Sequence, residues 1–285
     1  MSIVVTGATG QLGRLVVEQL LTTVPADRIA AVVRDEAKAA PLAALGVELR
    51  VADYDRPETF GAVFRAGDRV LLISGSEVGK RVAQHTAVID AAKEAGVAQL
   101  AYTGVLGGPA ADFLLAGEHK ETERLILASG LPYTFLRNGW YTENYTAALA
   151  PVLAHGAVVS NAGDGRIASA TRADFAAAAA AVLTGEGHLN AAYELSGDTA
   201  WSLAEYAAEL SRATGREIVY TEVPASAHQE ILVGAGLPAA FAEILVDVDV
   251  AIGRGLLAGT SGDLARLIGR PTTPLAETVA AAVAA

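Results

Sequence analysis

The feature that most constrains this chain is a glycine-rich turn near its N-terminus, which joins a short apolar segment to an amphipathic one. Ile3-Val4-Val5 predicts a strand, and the turn that follows spaces its glycines as G-x-x-G-x-x-G. A tight bend, a close approach of main-chain amides to a ligand and close packing of a helix on a strand each favour glycine. A helix N-terminus adds unpaired N–H groups and a partial positive charge. The pattern therefore predicts a site for the pyrophosphate of a dinucleotide. Its residues are Gly7, Thr9, Gly10, Gln11, Leu12 and Gly13.

The first half of the chain alternates short apolar runs with longer amphipathic stretches. Apolar strands separated by helices are typical of βαβ units, in which helices cover both faces of a parallel sheet. Strands are predicted at residues 3–5, 29–33, 47–51, 70–73, 99–103 and 133–137, and helices at 11–21, 36–45, 82–95 and 118–129. The sequence thus predicts an α/β fold, with a doubly wound parallel sheet that forms an NAD(P)-binding Rossmann domain over residues 1–137.

After residue 137 the regular alternation of short apolar runs and amphipathic stretches ends. Helices are predicted at residues 142–155, 171–183 and 202–214, extended segments at 157–160, 193–195 and 218–223, and a helical remainder broken by glycine and proline. We interpret residues 138–285 mostly as a smaller, interleaved C-terminal α/β lobe that binds the substrate, with residues of about 170–198 returning to the Rossmann sheet.

The charge and the hydropathy of the chain limit which partners the protein binds and where in the cell it is expected. The formal net charge of −11, with no cluster of lysine and arginine, disfavours a nucleic-acid partner. No signal-peptide pattern precedes the first strand, and no apolar run reaches the roughly 18 residues of a membrane span. We therefore expect a cytoplasmic protein that is a monomer or a homodimer, with a small-molecule substrate and no membrane partner.

Several side-chain chemistries are also disfavoured. The chain has no cysteine, which excludes thiolate metal sites and cysteine nucleophiles. Its five histidines are scattered and form no H-E-x-x-H pattern, so we expect no metal cofactor. Glu121 and Glu123 lie on different sides of a predicted helix, and we interpret both as solvated.

The residues at the end of the second predicted strand are expected to determine whether NAD or NADP is preferred. An acidic side chain there accepts hydrogen bonds from the ribose 2′-hydroxyl of NAD, whereas an arginine pairs with the 2′-phosphate of NADP. This chain has Arg34 followed by Asp35. Because the arginine comes first, the sequence favours NADP. Asp35 either faces the ribose or caps the next helix.

The ends of the next two strands supply further candidate cofactor contacts. Asp53 ends the third strand, where it either accepts a hydrogen bond from the adenine amino group or forms a turn. Ser74, Gly75 and Ser76 follow the fourth strand, so their backbone is expected to pass the middle of the cofactor.

Stretches along nearly the whole chain resemble the NmrA-like, atypical short-chain dehydrogenase/reductases. The resemblance is strongest to bacterial NAD(P)H:quinone oxidoreductases of type 2, which are related to triphenylmethane reductase. The supporting stretches are residues 6–13, 72–74, 76–79, 118–123, 136–145, 162–165 and 167–174, of which Leu136-Arg137-Asn138-Gly139-Trp140-Tyr141 is the most specific. The resemblance implies a flavin-free reductase that passes hydride from NADPH to a quinone or a similar flat conjugated acceptor.

One departure from the wider family concerns the proton donor. Ordinary short-chain dehydrogenases use a Tyr-x-x-x-Lys pair, which is absent from this chain. Related plant reductases keep a lysine at the position that His119 occupies here, so His119 either contacts the cofactor or donates a proton. The alternative is a helix-start residue bonded to the backbone. A quinone tolerates the missing tyrosine, because hydride addition gives an aromatic hydroquinone anion that water can protonate.

The segment after the sixth strand offers amides and aromatic rings to a flat acceptor. The candidate residues are Asn138, Tyr141 and Asn144, while Trp140 and Tyr145 either line the acceptor site or pack the lobe. Two rival functions stay open, a reductase of dyes or other conjugated acceptors and a non-catalytic NADP(H) sensor of the NmrA-like type. The amide and aromatic segment favours an enzyme, and the missing tyrosine favours a sensor.

Overall fold

The computed structural model describes residues 1–147 and 149–285. Two compact units divide the chain. The first comprises Met1–Gly108, Gly117–Asn138 and Arg172–Glu194, and the second comprises Pro109–Ala116, Gly139–Thr171 and Leu195–Ala285.

The strands and helices are numbered in chain order. The strands are β1 (Ile3–Val5), β2 (Ile29–Val33), β3 (Glu48–Val51), β4 (Arg69–Leu72), β5 (Gln99–Val105), β6 (Tyr133–Asn138), β7 (Ala157–Ser160), β8 (Arg166–Ile167), β9 (Ala191–Leu195), β10 (Trp201–Ser202) and β11 (Val219–Glu222). The helices are α1 (Gln11–Leu21), α2 (Glu36–Ala44), α3 (Arg81–Ala95), α4 (Ala116–Ser129), α5 (Glu143–Thr146), α6 (Leu149–His155), α7 (Arg172–Thr184), α8 (Leu203–Thr214), α9 (Ala225–Gly234), α10 (Ala239–Gly253), α11 (Asp263–Ile268) and α12 (Leu275–Ala284).

A seven-stranded sheet, in the order β3-β2-β1-β4-β5-β6-β9, organises the first unit. Every pairing from β3 through β6 is parallel, which confirms the predicted doubly wound sheet. Val5 of β1 lies between Ala31 of β2 and Leu71 of β4. The strand order therefore reverses between β1 and β4, and in open α/β sheets ligands bind at the carboxyl ends of the strands that flank such a reversal.

The apolar strands owe their composition to burial on both faces of the sheet. Val70 and Leu72 of β4 pack in one core with Val88 and Ile89 of α3. Leu71, between them, is also fully buried and points to the opposite face, because successive strand residues alternate. Helices α1 and α7 pack against each other and against strands of this sheet.

One predicted helix is divided in two. Residues 142–155 form α5 and α6, and Ala148, between them, lies outside the described residues. Pro151 favours a helix that begins near Leu149, because proline has no N–H to donate and fits best in the first turn of a helix. With α6 beginning at Leu149, the proline falls in that first turn.

The second unit has a separate apolar core and two small sheets. Strand β8 pairs with β10 in antiparallel fashion, and β7 pairs with β11 in parallel fashion. Ile167, Trp201 and Tyr206 are among the residues of this core. Helix α8 begins with a capping box, in which Ser202 and Glu205 each bond the other's main-chain N–H. Among the helices of the described residues, none combines the length and the apolar character needed to cross a bilayer.

Candidate active site

The glycine turn after β1 has the tight geometry that its sequence predicts. Gly7 adopts a φ of +59°, a left-handed conformation that favours glycine. The N–H of Gly10 donates to the Gly7 carbonyl at 2.9 Å, which closes the bend. A Cβ atom on Gly13 would lie 2.2 Å from the Gly7 oxygen and 2.8 Å from the Ala8 Cα. The first turn of α1 therefore touches the bend, and only a residue without a side chain fits there.

The N-terminus of α1 is open to an anion. Its N-cap is Gly10, which provides no capping side chain, and the first helical bond runs from the Arg14 N–H to the Gly10 carbonyl. In the part of the chain that the structure describes, the N–H groups of Gln11 and Leu12 have no acceptor. These donors and the helix dipole are the elements with which a helix binds a phosphate.

The two candidates at the end of β2 have different roles in the structure. The Asp35 carboxylate caps α2 by accepting a hydrogen bond from the Ala37 N–H at 2.9 Å, as one of the two interpretations predicts. Arg34 is exposed, and its side chain forms no ion pair or hydrogen bond with any described residue. The acid is thus occupied while the guanidinium is available, which is the arrangement that suits a 2′-phosphate.

Asp53 forms the turn that follows β3. One carboxylate oxygen accepts a hydrogen bond from the Asp55 N–H at 3.1 Å, and the other lies 3.5 Å from the Arg56 Nε. The Thr59 hydroxyl accepts the N–H of Asp53 at 2.9 Å. These contacts support the turn interpretation, and a contact with adenine stays a prediction.

The loop after β4 is held by side chains of other elements. The main-chain N–H groups of Ile73, Ser74 and Gly75 donate in turn to Thr6 Oγ1 at 3.1 Å, to Thr103 Oγ1 at 2.9 Å and to His85 Nε2 at 3.0 Å. The amides of Ser74 and Gly75 are therefore occupied within the protein. A contact of this loop with the cofactor stays a prediction.

His85 is a site residue that was not predicted, although one signal in the sequence marks it. On α3 it precedes Val88, Ile89 and Ala92 by three, four and seven residues, which places a histidine on the same face of the helix as these buried apolar residues. A polar group on such a face needs a buried partner, and here it is a loop amide.

His119 is the fourth residue of α4, and its buried ring bonds a side chain rather than the backbone. Its Nδ1 shares a hydrogen bond of 2.7 Å with the hydroxyl of Tyr102. Burial, together with the nearby charge of Arg81, lowers the pKa of His119 to about 3. The imidazole is therefore neutral near pH 7 and cannot act there as an imidazolium acid.

The interpretation of Glu123 as a solvated residue is wrong. Only 3% of this residue is exposed, and both of its carboxylate oxygens bond the Arg137 guanidinium, at 2.8 and 2.9 Å. Arg137 also pairs with Glu194 at 2.8 Å, which links α4, β6 and β9. Glu121, by contrast, pairs with Arg124 on the exposed face of α4, as predicted. The ion pairs raise the pKa of Arg137, so it stays charged.

The residues after β6 divide between the two units. Asn138 is the last residue of β6 in the first unit and is buried. Tyr141 and Asn144 belong to the second unit, where Tyr141 forms a bridge with Ala170 and Asn144 is exposed on α5.

The aromatic neighbours of these residues pack in the core of the second unit. Trp140 lies against that core, and the ring of Tyr145 is 5.1 Å from Trp201 and 5.7 Å from Tyr206. These contacts support the packing interpretation of Trp140 and Tyr145.

Comparisons with known proteins agree along almost the whole chain. The model of the NmrA-like family matches residues 1–254. Quinone oxidoreductase 2 of Escherichia coli (strain K12) is 49% identical over 277 residues, with 97% of each chain covered. The crystal structure of an E. coli NADPH-dependent quinone oxidoreductase complexed with NADPH matches with a TM-score of 0.96 at 48% identity, covering 98% of this chain and 99% of that one. Citrobacter sp. triphenylmethane reductase complexed with NADP(H) matches with a TM-score of 0.94 at 44% identity, covering 99% and 100%. These findings confirm the resemblance drawn from the sequence motifs.

Proposed function

The chain belongs to the NmrA-like family, and we propose from this that it is a flavin-free reductase that passes hydride from NADPH to a quinone or a similar flat conjugated acceptor. The observation that carries the proposal is the open N-terminus of α1, which lies at the reversal of strand order, together with the exposed Arg34 at the end of the neighbouring strand β2. The amides suit a pyrophosphate and the guanidinium suits a 2′-phosphate. The relatives named above as NADPH-dependent or NADP(H)-bound support the same cofactor.

The proposed reaction needs no side chain that acts as an acid or a base. Bound NADPH supplies the hydride. Because the reduced acceptor is an aromatic hydroquinone anion, water serves as its proton source, and a neutral His119 is compatible with turnover. The main task of the chain is then to hold cofactor and acceptor in a reactive geometry. Asn138, Tyr141 and Asn144 remain the predicted contacts of the acceptor.

We further propose a role for each compact unit and a cellular location for the protein. We assign cofactor binding to the first compact unit and a substrate role to the second. We also propose that the protein works in the cytoplasm, as a monomer or a homodimer.

Turnover with a panel of acceptors tests the reaction. Purified protein is mixed with NADPH and with benzoquinones, naphthoquinones or a triphenylmethane dye, and the loss of reduced-cofactor absorbance is followed. We expect quinone-dependent oxidation of NADPH. Turnover of the dye alone would identify a dye reductase, and tight NADPH binding without turnover of any acceptor would identify a sensor.

The cofactor choice has a separate test in Arg34→Ala. Loss of a charge-assisted contact with the 2′-phosphate is expected to cost about 1.5–3 kcal/mol, or roughly 10- to 150-fold in the NADPH dissociation constant. The dissociation constant of NADH should change little, because NADH has no 2′-phosphate. Arg216→Ala, at an exposed arginine of the second unit, is the matched control. Equal losses for both cofactors would contradict the assignment.

A further inference from the structure

We propose that His85 is a positioning residue, which holds the loop after β4 in the shape required by the nicotinamide half of the cofactor. This inference rests on the proposed function. Arg34 follows β2 and the glycine turn follows β1, so a dinucleotide bound with its 2′-phosphate at Arg34 runs from β2 across β1. The next strand in that direction is β4. Its loop therefore borders the half of the cofactor that carries the hydride.

Hydrogen-bond directions determine which nitrogen of His85 carries the hydrogen. A main-chain N–H only donates, so Nε2, which lies 3.0 Å from the Gly75 nitrogen, must be the unprotonated acceptor. In the neutral ring the hydrogen is then on Nδ1, which lies 2.9 Å from Thr122 Oγ1. The Thr122 hydroxyl donates onward to the Glu118 carbonyl at 2.8 Å. A chain of three hydrogen bonds, each donating from the loop toward α4, thus connects the two.

A second side chain of α3 holds the other polar group of Gly75. The Arg81 Nε donates to the Gly75 carbonyl at 2.6 Å. Arg81 and His85 are four residues apart, so they lie on the same face of the helix. The two main-chain polar groups of Gly75 are therefore both bonded to one rigid element, and the position of α3 sets the position of the loop.

The surroundings keep His85 in the state that this role needs. The ring is fully buried and meets the edge of Tyr102, with 5.6 Å between ring centroids. Burial, with a smaller effect of the Arg81 charge, lowers the pKa of His85 to about 4. A protonated ring would present a hydrogen on Nε2 to the Gly75 N–H, so the neutral state is the only one that holds the loop.

Removing the acceptor releases the loop without removing a group that touches the cofactor. His85→Leu leaves the Gly75 N–H without its partner, and a hydride donor displaced by about 1 Å is expected to react about 100-fold more slowly. His85→Gln places an amide oxygen where Nε2 was, so it restores the acceptor. We expect a loss of about 10- to 100-fold in the single-turnover rate of hydride transfer for the leucine variant, and recovery to within about threefold for the glutamine variant.

Val88→Ala separates positioning from stability. Val88 lies on α3 one turn from His85, is fully buried and bonds no part of the loop. Its truncation should lower the melting temperature while the NADPH dissociation constant and the hydride-transfer rate stay as in the wild type. A purely structural role for His85 would instead make the kinetics follow the melting temperature in all variants.

A measurement on the unaltered enzyme does not depend on how the variants fold. Nitrogen NMR of histidine-labelled protein should show, among its histidine signals, a neutral ring with hydrogen on Nδ1 and a bare Nε2 that disappears in His85→Gln. His228 also has hydrogen on Nδ1, because its Nδ1 lies 2.6 Å from the Asn161 amide oxygen, so the signal of His85 is identified by its loss in this variant. Hydrogen on Nε2 of His85 in the wild type would overturn the proposal, as would a leucine variant with wild-type kinetics. A wild type that binds NADPH but reduces no acceptor would instead refute the proposed function, while the NMR result and the NADPH dissociation constants would still test His85.

Discussion

Replacing Gly13 by alanine tests whether the turn after β1 is as tight as its geometry indicates. The added Cβ would lie 2.2 Å from the Gly7 carbonyl oxygen and 2.8 Å from the Ala8 Cα. Both neighbours are main-chain atoms, so no side-chain rotation relieves the contact. An ordinary contact is about 3.5 Å or longer, so the turn and the helix must separate by about 1 Å.

The separation has two consequences of different size. Overpacking costs about 1–3 kcal/mol of folding free energy, part of which is offset because alanine loses less backbone entropy than glycine. The same shift moves the N–H groups of Gln11 and Leu12 away from a bound pyrophosphate. Each charge-assisted bond lost costs about 1.5–3 kcal/mol, so we expect NADPH binding to weaken by at least about tenfold.

NADPH titration by fluorescence, together with thermal unfolding, measures both effects. Gly61→Ala is the matched control, because Gly61 is exposed and nothing lies within 4 Å of its added Cβ. This control should bind NADPH as the wild type does. If Gly13→Ala matched the control in both affinity and melting temperature, the reasoning from close approach would be refuted.

Three further predictions concern buried charge and protonation. Burial lowers the pKa of His85 to about 4 and of His119 to about 3, so the unfolded chain takes up protons first, near pH 6.5. The free energy of unfolding, measured with urea, should therefore contain the full contribution of the two neutral histidines above pH 6.5. It should fall by several kcal/mol as the pH drops toward 4. Arg137→Met leaves buried Glu123 without its partner and should cost about 3–5 kcal/mol in the same assay. Because His119 is neutral across the range, kcat should show no step from its titration between pH 5 and 8 in steady-state assays.

Each of these predictions has its own control. In His85→Gln the fall in stability between pH 6.5 and 4 should be shallower, and an unchanged slope would contradict the linkage. Arg124→Met removes the exposed pair with Glu121 on the same helix, and a loss as large as that of Arg137→Met would contradict the buried-pair argument. A step in kcat that disappears in His119→Gln would show that His119 titrates during turnover.

Much of the fold was predictable because its signals are local. The glycine spacing after β1, the apolar period of α1 and the Asp35 cap of α2 each depend on a few consecutive residues, and the structure contains all of them. The start of α6 near Pro151 was also within reach, because proline is favoured in the first turn of a helix, although α2 contains Pro41 beyond its first turn.

The polar contacts of the site were harder to predict. The sequence places Ser74, Gly75 and Ser76 at the end of a strand, but it does not tell which of their amides are occupied. The partners of the Ser74 and Gly75 amides are Thr103 of β5 and His85 of α3, and Thr103 meets the loop because β5 lies next to β4 in the sheet. Glu123 was misread for the same reason, since its partner Arg137 lies on a strand that packs beside its helix.

The sequence by itself determined the class of fold, the dinucleotide turn and the family, because main-chain conformation and hydrophobic period are properties of short segments. The tertiary structure alone decided which polar groups are satisfied inside the protein and which remain open to a ligand. The physical reason is that a buried donor must find an acceptor wherever packing brings one near. The Gly75 N–H is bonded to His85, whereas the N–H groups of Gln11 and Leu12 have no acceptor among the described residues.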